Sequence, residues 1–99
     1  MSDERSEGSE EAEQREIIIT DTAKSKVYRL YSVRELFENI RNQPGAVYQK
    51  GDSGEYHLVK NGRVIVVTTE PGKYIVVTQM HNHPDYTRSN IYQEVQKLP

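Results

Sequence analysis

The chain has 99 residues and a mass of 11.5 kDa, the size of a single domain. Hydrophobic residues make up 34% of it and charged residues 28%, and the absence of cysteine excludes disulfides and thiolate metal sites. No run approaches the roughly 18 apolar positions of a membrane span, and the acidic N-terminus has no apolar stretch typical of a signal peptide. The sequence therefore predicts a small cytoplasmic protein without a membrane partner.

The charged residues divide the chain into a tail and a body. Residues 1–16 carry seven acidic and two basic side chains, and Met1 and Ala12 are the only hydrophobic residues among them. Such a segment cannot bury enough apolar surface to offset the entropy lost on ordering. We therefore expect 1–16 to be a disordered acidic tail and 17–99 to be one mildly basic domain. The tail is interpreted as a solubilising extension or, alternatively, as a segment that competes with an anionic partner for the body.

The first elements of the body are predicted to be a hairpin and a helix. Residues 17–20 are β-branched and residues 26–31 nearly alternate, so we expect two strands joined by a polar turn. Ser32 and Glu35 form the capping-box pattern that begins a helix, and Pro44 marks its end. The apolar residues in between are spaced for one helix face: Val33, Leu36, Phe37 and Ile40.

The rest of the body is predicted to be a meander followed by a second helix. Strands are expected over 46–50, 55–60, 63–69 and 73–80. Asn61-Gly62 is a strong hairpin signal because both residues tolerate the positive φ of a type I′ turn. The final helix is expected to begin at Thr87 or Ser89 and to present one apolar face: Ile91, Tyr92, Val95 and Leu98.

This order of elements predicts an α+β fold, with an antiparallel sheet of about five or six strands and two helices mainly on one face. The first hairpin loop pairs His57 with Val66, and a tight loop at Pro71-Gly72 pairs Val66 with Val77 and Val67 with Val76. Alternation then leaves an aliphatic patch on the face away from the helices: Val64, Val66, Ile75 and Val77. Such a patch is interpreted as a contact with a protein partner, with a second copy of the chain, or with a covering segment.

The three histidines do not form a metal site in this arrangement. His81 and His83 point to the same side of an extended chain, but zinc needs about three or four protein ligands and His57 lies about 13 Å along the sheet. We therefore predict no metal and no small-molecule cofactor. His57 lies mid-strand with Glu55 on the same face, a position from which a histidine can act as general acid or base near neutral pH. It is the catalytic candidate, the alternative being a strand residue without catalytic duty.

Basic residues and tyrosines are interleaved along the body. Tyrosine supplies a stacking plane with a polar tip, and lysine and arginine supply phosphate contacts, so this composition fits RNA or another anionic partner. The residues predicted to bind nucleic acid or a partner are Lys60, Arg63, Tyr56, His81, His83 and Arg88. The alternative is that the tyrosines are ordinary strand residues with solvated hydroxyls.

The order of a helix, a three-stranded meander and a helix over residues 32–98 resembles that of the HicA-type mRNA interferase toxins. Residues 53–57 read Ser-Gly-Glu-Tyr-His where that family carries a compact Gly-Ser-His sequence, and His81 is similar to the family's strand-end histidine. The resemblance implies a double-stranded-RNA-binding-like fold and RNA cleavage with His57 as acid and base. RelE-like toxins also have a helix followed by an antiparallel sheet.

Three functions are therefore open. The first is a non-enzymatic binding or regulatory module that acts through the open sheet face or the 81–88 loop, and we place it ahead because no catalytic constellation is complete. The second is a metal-independent endoribonuclease toxin of HicA or RelE type, with Lys60, Arg63 and Arg88 on the phosphates. The third is a domain that binds RNA without cleaving it.

Overall fold

The computed structural model of the protein describes residues 15–81, 85–86 and 90–99. The predicted tail over 1–16 lies outside these ranges apart from Arg15 and Glu16, and Glu16 already belongs to the first strand. His83 and Arg88, two of the predicted binding residues, also lie outside them.

The described part of the chain forms an α+β fold with six strands and two helices. In chain order the elements are β1 (Glu16–Ile19), α1 (Asp21–Lys24), α2 (Val33–Asn42), β2 (Ala46–Lys50), β3 (Glu55–Lys60), β4 (Arg63–Glu70), β5 (Lys73–Met80) and β6 (Tyr92–Val95). The sheet has the order β1-β5-β4-β3-β2-β6, with β1 parallel to β5 and the other neighbours antiparallel. The predicted fold class is confirmed in outline, but the sheet is mixed and not purely antiparallel.

The predicted N-terminal hairpin does not form. β1 pairs with β5 instead, so that Ile18 lies beside Ile75. Thr20 then accepts a hydrogen bond from the Ala23 backbone (3.2 Å) as the N-cap of α1, and the chain leaves the sheet where a return strand was expected. Residues 26–29 form turns and Leu30 a bend, closed by local backbone hydrogen bonds. Parallel pairing is possible because the long stretch of chain between β1 and β5 serves as the crossover connection.

The last element is a strand and not the predicted helix. β6 runs antiparallel to β2, with Val95 beside Val47 and Tyr92 beside Lys50. The apolar spacing fits a helix face, but without β6 the outer edge of β2 would leave its backbone N–H and C=O groups without sheet partners. Four residues of strand supply these partners and also bring Val95 against the core.

The helix α2 begins as predicted. The Ser32 hydroxyl accepts a hydrogen bond from the Glu35 backbone (3.2 Å), and the Ser32 backbone N–H donates to the Glu35 carboxylate (2.9 Å). This bond from the Ser32 backbone holds the pKa of Glu35 below its ordinary value. The helix ends at Gln43, which takes the left-handed conformation at φ 45°, and its buried residues are Leu36 and Ile40.

The hairpin of β3 and β4 has the predicted register and turn. His57 lies beside Val66, and the loop residues Asn61 and Gly62 have φ values of 53° and 78°. These angles are the ones that the Asn-Gly signal predicts for a type I′ turn, whose twist matches that of the flanking strands. The loop therefore determines which side chains of the two strands share a face.

The pairing of β4 with β5 agrees with the prediction only over the first half of β5. Val67 lies beside Val76 as expected. A bulge between Val66 and Val67 then shifts the register, so that Thr78 and not Val77 lies beside Val66. A bulge adds one residue to one strand, which reverses the faces of the residues that follow it.

The reversal places Gln79 on the buried side of the sheet. Gln79 lies beside Ile65 and is 1% exposed. Its side chain accepts a hydrogen bond from the Tyr31 backbone N–H (2.8 Å) and donates to the carbonyls of Tyr31 (3.0 Å) and Ala23 (3.2 Å). Gln79 thereby attaches the segment between the two helices to the sheet.

Both helices pack on one face of the sheet, which we call the core face. Its buried residues are Ile19, Ala23, Tyr31, Leu36, Ile40, Val47, Tyr56, Leu58, Ile65, Val67, Tyr74, Val76 and Leu98. On the opposite face, called the second face, Val64 and Val66 are only 0% and 6% exposed, so they are not exposed as the predicted patch required. Val77 is 36% exposed and Ile75 is half-buried. Tyr86, which lies between β5 and β6 in the chain, packs on this face against His57 and Tyr48.

Candidate functional site

His57 lies at the centre of a chain of hydrogen-bonded side chains on the second face. Glu55 precedes it by two residues on β3, so alternation places both side chains on this face. His57 Nε2 lies 2.8 Å from Glu55 Oε2, and His57 Nδ1 lies 2.7 Å from the Tyr86 hydroxyl. On β2, Lys50 has its Nζ 3.9 Å from the same Glu55 oxygen. His57 is thus bonded through both ring nitrogens, and it is 3% exposed.

Tyr86 is enclosed by other rings. It stacks on Tyr48 with ring centroids 4.3 Å apart and 2° between the planes, and it meets Tyr92 edge to face at 4.7 Å. Burial raises the pKa of the Tyr86 hydroxyl above its ordinary value, so this group stays protonated. It can then donate to Nδ1 of a neutral His57, whose Nε2–H donates to Glu55. This arrangement gives each of the three side chains a hydrogen-bond partner.

The same contacts bear on the predicted catalytic role of His57. A general acid or base must reach the reacting proton with a ring nitrogen. Both nitrogens of His57 are hydrogen-bonded within the protein, and its ring packs against those of Tyr86 and Tyr92, with centroids 5.7 and 5.1 Å away. The arrangement favours a structural role in which His57 anchors the connection between β5 and β6, and catalysis by His57 stays a prediction.

A second group of functional candidates comes together at one end of the sheet. The β3–β4 turn places Lys60 beside Arg63, and the pairing of β4 with β5 brings this turn next to the end of β5, where His81 follows. Lys60 and His81 are exposed, and the guanidinium of the half-buried Arg63 lies 5.0 Å from the centre of the Tyr31 ring. Three of the predicted binding residues therefore share one end of the molecule.

A groove of about 340 Å³ opens at this end. It is lined by Lys26, Arg29, Leu30, Gln79, Met80 and His81. Lys26 Nζ donates to Thr78 Oγ1 (2.8 Å) and to the Gln79 carbonyl (3.0 Å), which leaves one of its three N–H groups for a ligand. We call the residues Lys26, Arg29, Lys60, Arg63 and His81 the basic end.

The cations at the two ends of the sheet differ in their partners. At the end away from the groove, Lys50 lies 3.9 Å from Glu55 and Lys73 lies 4.0 Å from Glu70. Among the residues that the structure describes, no carboxylate lies within 4.0 Å of the charged groups of the basic end. Arg63 contributes to lowering the pKa of Glu35, whose carboxylate is engaged in the cap of α2. The positive charge of the basic end is therefore available to an anion.

One of the predicted binding residues is buried, and two residues of the basic end were not among the predicted binding residues. Tyr56 is 7% exposed because it lies beside Val67 on the core face, so it cannot contact a partner as predicted. Lys26 and Arg29 were missed because 26–31 has the alternation of a strand, whereas these residues form turns beside the end of β5. The interleaving of basic residues with tyrosines was the available signal for them.

Comparison of this chain with protein-family models, with curated proteins and with solved structures gives no match. Over the described ranges, no helix is long and apolar enough to cross a membrane. In the same part of the chain, no three histidine, cysteine, aspartate or glutamate side chains are grouped so that they could hold a metal ion. The functional interpretation therefore depends on the geometry and charge of the two sites described above.

Proposed function

We propose that this protein is a non-enzymatic binding module that recognises RNA through its basic end. The observation that carries the proposal is that four lysine and arginine side chains from separate segments lie at one end of the sheet. Lys26 and Arg29, from the turns before α2, line the groove together with His81, and Lys60 and Arg63 lie on the adjacent β3–β4 hairpin. Lysine and arginine side chains gathered at one end of a domain are a usual means of holding a phosphate backbone.

Two observations favour RNA binding over the other hypotheses. Cleavage by His57 would require a ring nitrogen that is free to reach the substrate, and both nitrogens are engaged with Glu55 and Tyr86. Dimerisation through the valine patch would require exposed valines, and Val64 and Val66 are buried. The basic end is compatible with an acidic protein as well, and this partner is an outcome of the experiments below.

Lys60→Gln and Lys73→Gln are a matched pair of variants that test the proposal. Both remove one positive charge from a residue at the end of a strand, but Lys60 belongs to the basic end and Lys73 pairs with Glu70 at the opposite end. For a single-stranded RNA oligonucleotide, log K falls as log salt concentration rises. The steepness of this slope should decrease by about 0.7 in Lys60→Gln because one phosphate contact is lost. The slope should stay unchanged in Lys73→Gln. Fluorescence anisotropy at several salt concentrations measures both.

The same titrations contain the results that contradict the proposal. If the wild-type protein shows no salt-dependent binding to RNA, or if both variants lose the same slope, the basic end is not an RNA site. If the protein retained a purified acidic protein but bound RNA no better than background, the basic end would be assigned to a protein partner. Shortened RNA after incubation with the wild-type protein, and intact RNA after incubation with His57→Ala, would support the endoribonuclease hypothesis instead.

A further inference from the structure

We infer that Tyr28 is a stacking platform for an unpaired base, so that the RNA bound at the basic end is single-stranded. This inference rests on the proposed function and specifies its ligand. Tyr28 is 80% exposed, more than the other large hydrophobic residues that stand out from the described surface. A tyrosine ring in this position has a free face on which a base can stack.

Tyr28 lies directly beside the groove of the basic end. The next residue, Arg29, lines the groove, and its guanidinium lies 5.7 Å from the centre of the Tyr28 ring. Lys26, two residues before Tyr28, lines the same groove. A nucleotide stacked on Tyr28 would therefore have two cations within reach of its phosphates, which is the combination that single-strand binding proteins use.

The segment that carries Tyr28 is held firmly although its ring is exposed. Backbone hydrogen bonds run from Arg29 and Leu30 to the Lys26 carbonyl, at 3.2 and 3.0 Å. Lys26 is bonded to the end of β5, and Gln79 bonds the backbone of Tyr31 on the other side of the turn. An aromatic side chain on a rigid segment loses little conformational entropy when a ligand stacks on it.

The accessibility of the bases decides between single-stranded and duplex RNA. Inside an A-form duplex each base is stacked on its neighbours, and the deep major groove does not admit side chains. Away from the two ends of a duplex Tyr28 could then contribute no stacking, and the cations alone would contact the backbone. In a single strand every base has a face that can stack on the ring, largely irrespective of sequence.

The test compares Tyr28→Ala, Tyr28→Phe and Ile91→Ala by anisotropy, on one unstructured 12-nucleotide RNA and on the blunt duplex of the same sequence. Ile91 is a matched control because it is 55% exposed and lies at the opposite end of the sheet, where its carbonyl accepts from Gly51. Tyr28→Ala should weaken binding of the single strand by roughly 5- to 150-fold. In Tyr28→Ala the affinity for the duplex should change less than about twofold. Tyr28→Phe should bind both RNAs like the wild type, because phenylalanine keeps the ring. Ile91→Ala should also bind both RNAs like the wild type.

Several results would overturn the inference, and they differ from those that would overturn the proposed function. An unchanged affinity of Tyr28→Ala for the single strand, an equal loss for the duplex, or an equal loss in Tyr28→Phe each removes the stacking role. If Lys60→Gln still lowers the salt slope in that case, the RNA-binding function stands and the claim about Tyr28 fails alone. Circular dichroism and thermal unfolding check folding, which this exposed substitution should leave unchanged.

Discussion

Gln79→Leu is expected to lower the free energy of unfolding by about 2 to 6 kcal/mol. Leucine has a similar size but cannot replace any of the three hydrogen bonds of this buried amide. The Tyr31 backbone N–H and carbonyl would then lose the partner that Gln79 supplies, and each such buried group costs about 1 to 3 kcal/mol. The Ala23 carbonyl would still accept a hydrogen bond from the Lys26 backbone N–H (3.3 Å). This is a large share of the total stability of a domain of this size.

Urea unfolding followed by circular dichroism measures this effect, and Gln93→Leu is the control. Gln93 is an exposed glutamine on β6, so its replacement should change the free energy of unfolding by less than about 0.5 kcal/mol. If Gln79→Leu were no more destabilising than Gln93→Leu, this result would contradict the position of the bulge in β5 and the burial of the Gln79 side chain. Because Gln79 also borders the groove, the variant should be tested for RNA binding only after its folding has been measured.

Tyr86→Ala is expected to lower the free energy of unfolding by about 3 to 5 kcal/mol, the usual cost of truncating a buried aromatic residue. The substitution removes the ring that stacks on Tyr48 and meets Tyr92, and it leaves His57 Nδ1 without a partner. Tyr86→Phe keeps the ring and should cost about 1 to 3 kcal/mol, because the hydroxyl that bonds His57 Nδ1 is lost. Chemical unfolding of both variants separates the contribution of the ring from that of the hydroxyl.

Tyr28→Phe is the matched control for the loss of a tyrosine hydroxyl. Its side chain is 80% exposed, so we expect a change of less than about 0.5 kcal/mol. If Tyr86→Phe and Tyr86→Ala both unfolded at the wild-type urea concentration, the connection between β5 and β6 would not be anchored through His57. The proposed structural role of His57 would then have no support, whereas RNA binding at the basic end would be unaffected.

The parts of the fold that the sequence predicted correctly depend on contacts between residues close in the chain. The capping box at Ser32 and Glu35 and the type I′ turn at Asn61-Gly62 are examples, since each is formed by neighbouring residues whose conformational preferences suffice. Once the turn is known, alternation gives the register of β3 and β4, and it correctly placed His57 beside Val66.

The errors share a different cause, which is a partner distant in the chain. Residues 17–20 have strand character, but their partner is β5, more than fifty residues away, and no local pattern distinguishes it from an adjacent hairpin strand. The spacing of Tyr92 and Val95 fits a helix as well as a strand, and the open edge of β2 decides for the strand. At β6 the backbone hydrogen bonds of the sheet override the helical spacing, whereas at β1 they decide only which strand is the partner.

The candidate sites show the same division. The sequence by itself determined the residue types, so that Lys60, Arg63 and His81 were correctly expected to lie near exposed turns, and it placed Glu55 and His57 on one face of a strand. The long-range packing of the chain decided the rest. The bulge in β5 turned Gln79 inward, and Tyr86, from between β5 and β6, packs beside His57. The turns before α2 placed Lys26 and Arg29 beside the end of β5. A side-chain pattern specifies a local conformation. A groove or a buried chain of hydrogen-bonded side chains depends instead on which distant segments form backbone hydrogen bonds with one another and bury one another's apolar surface.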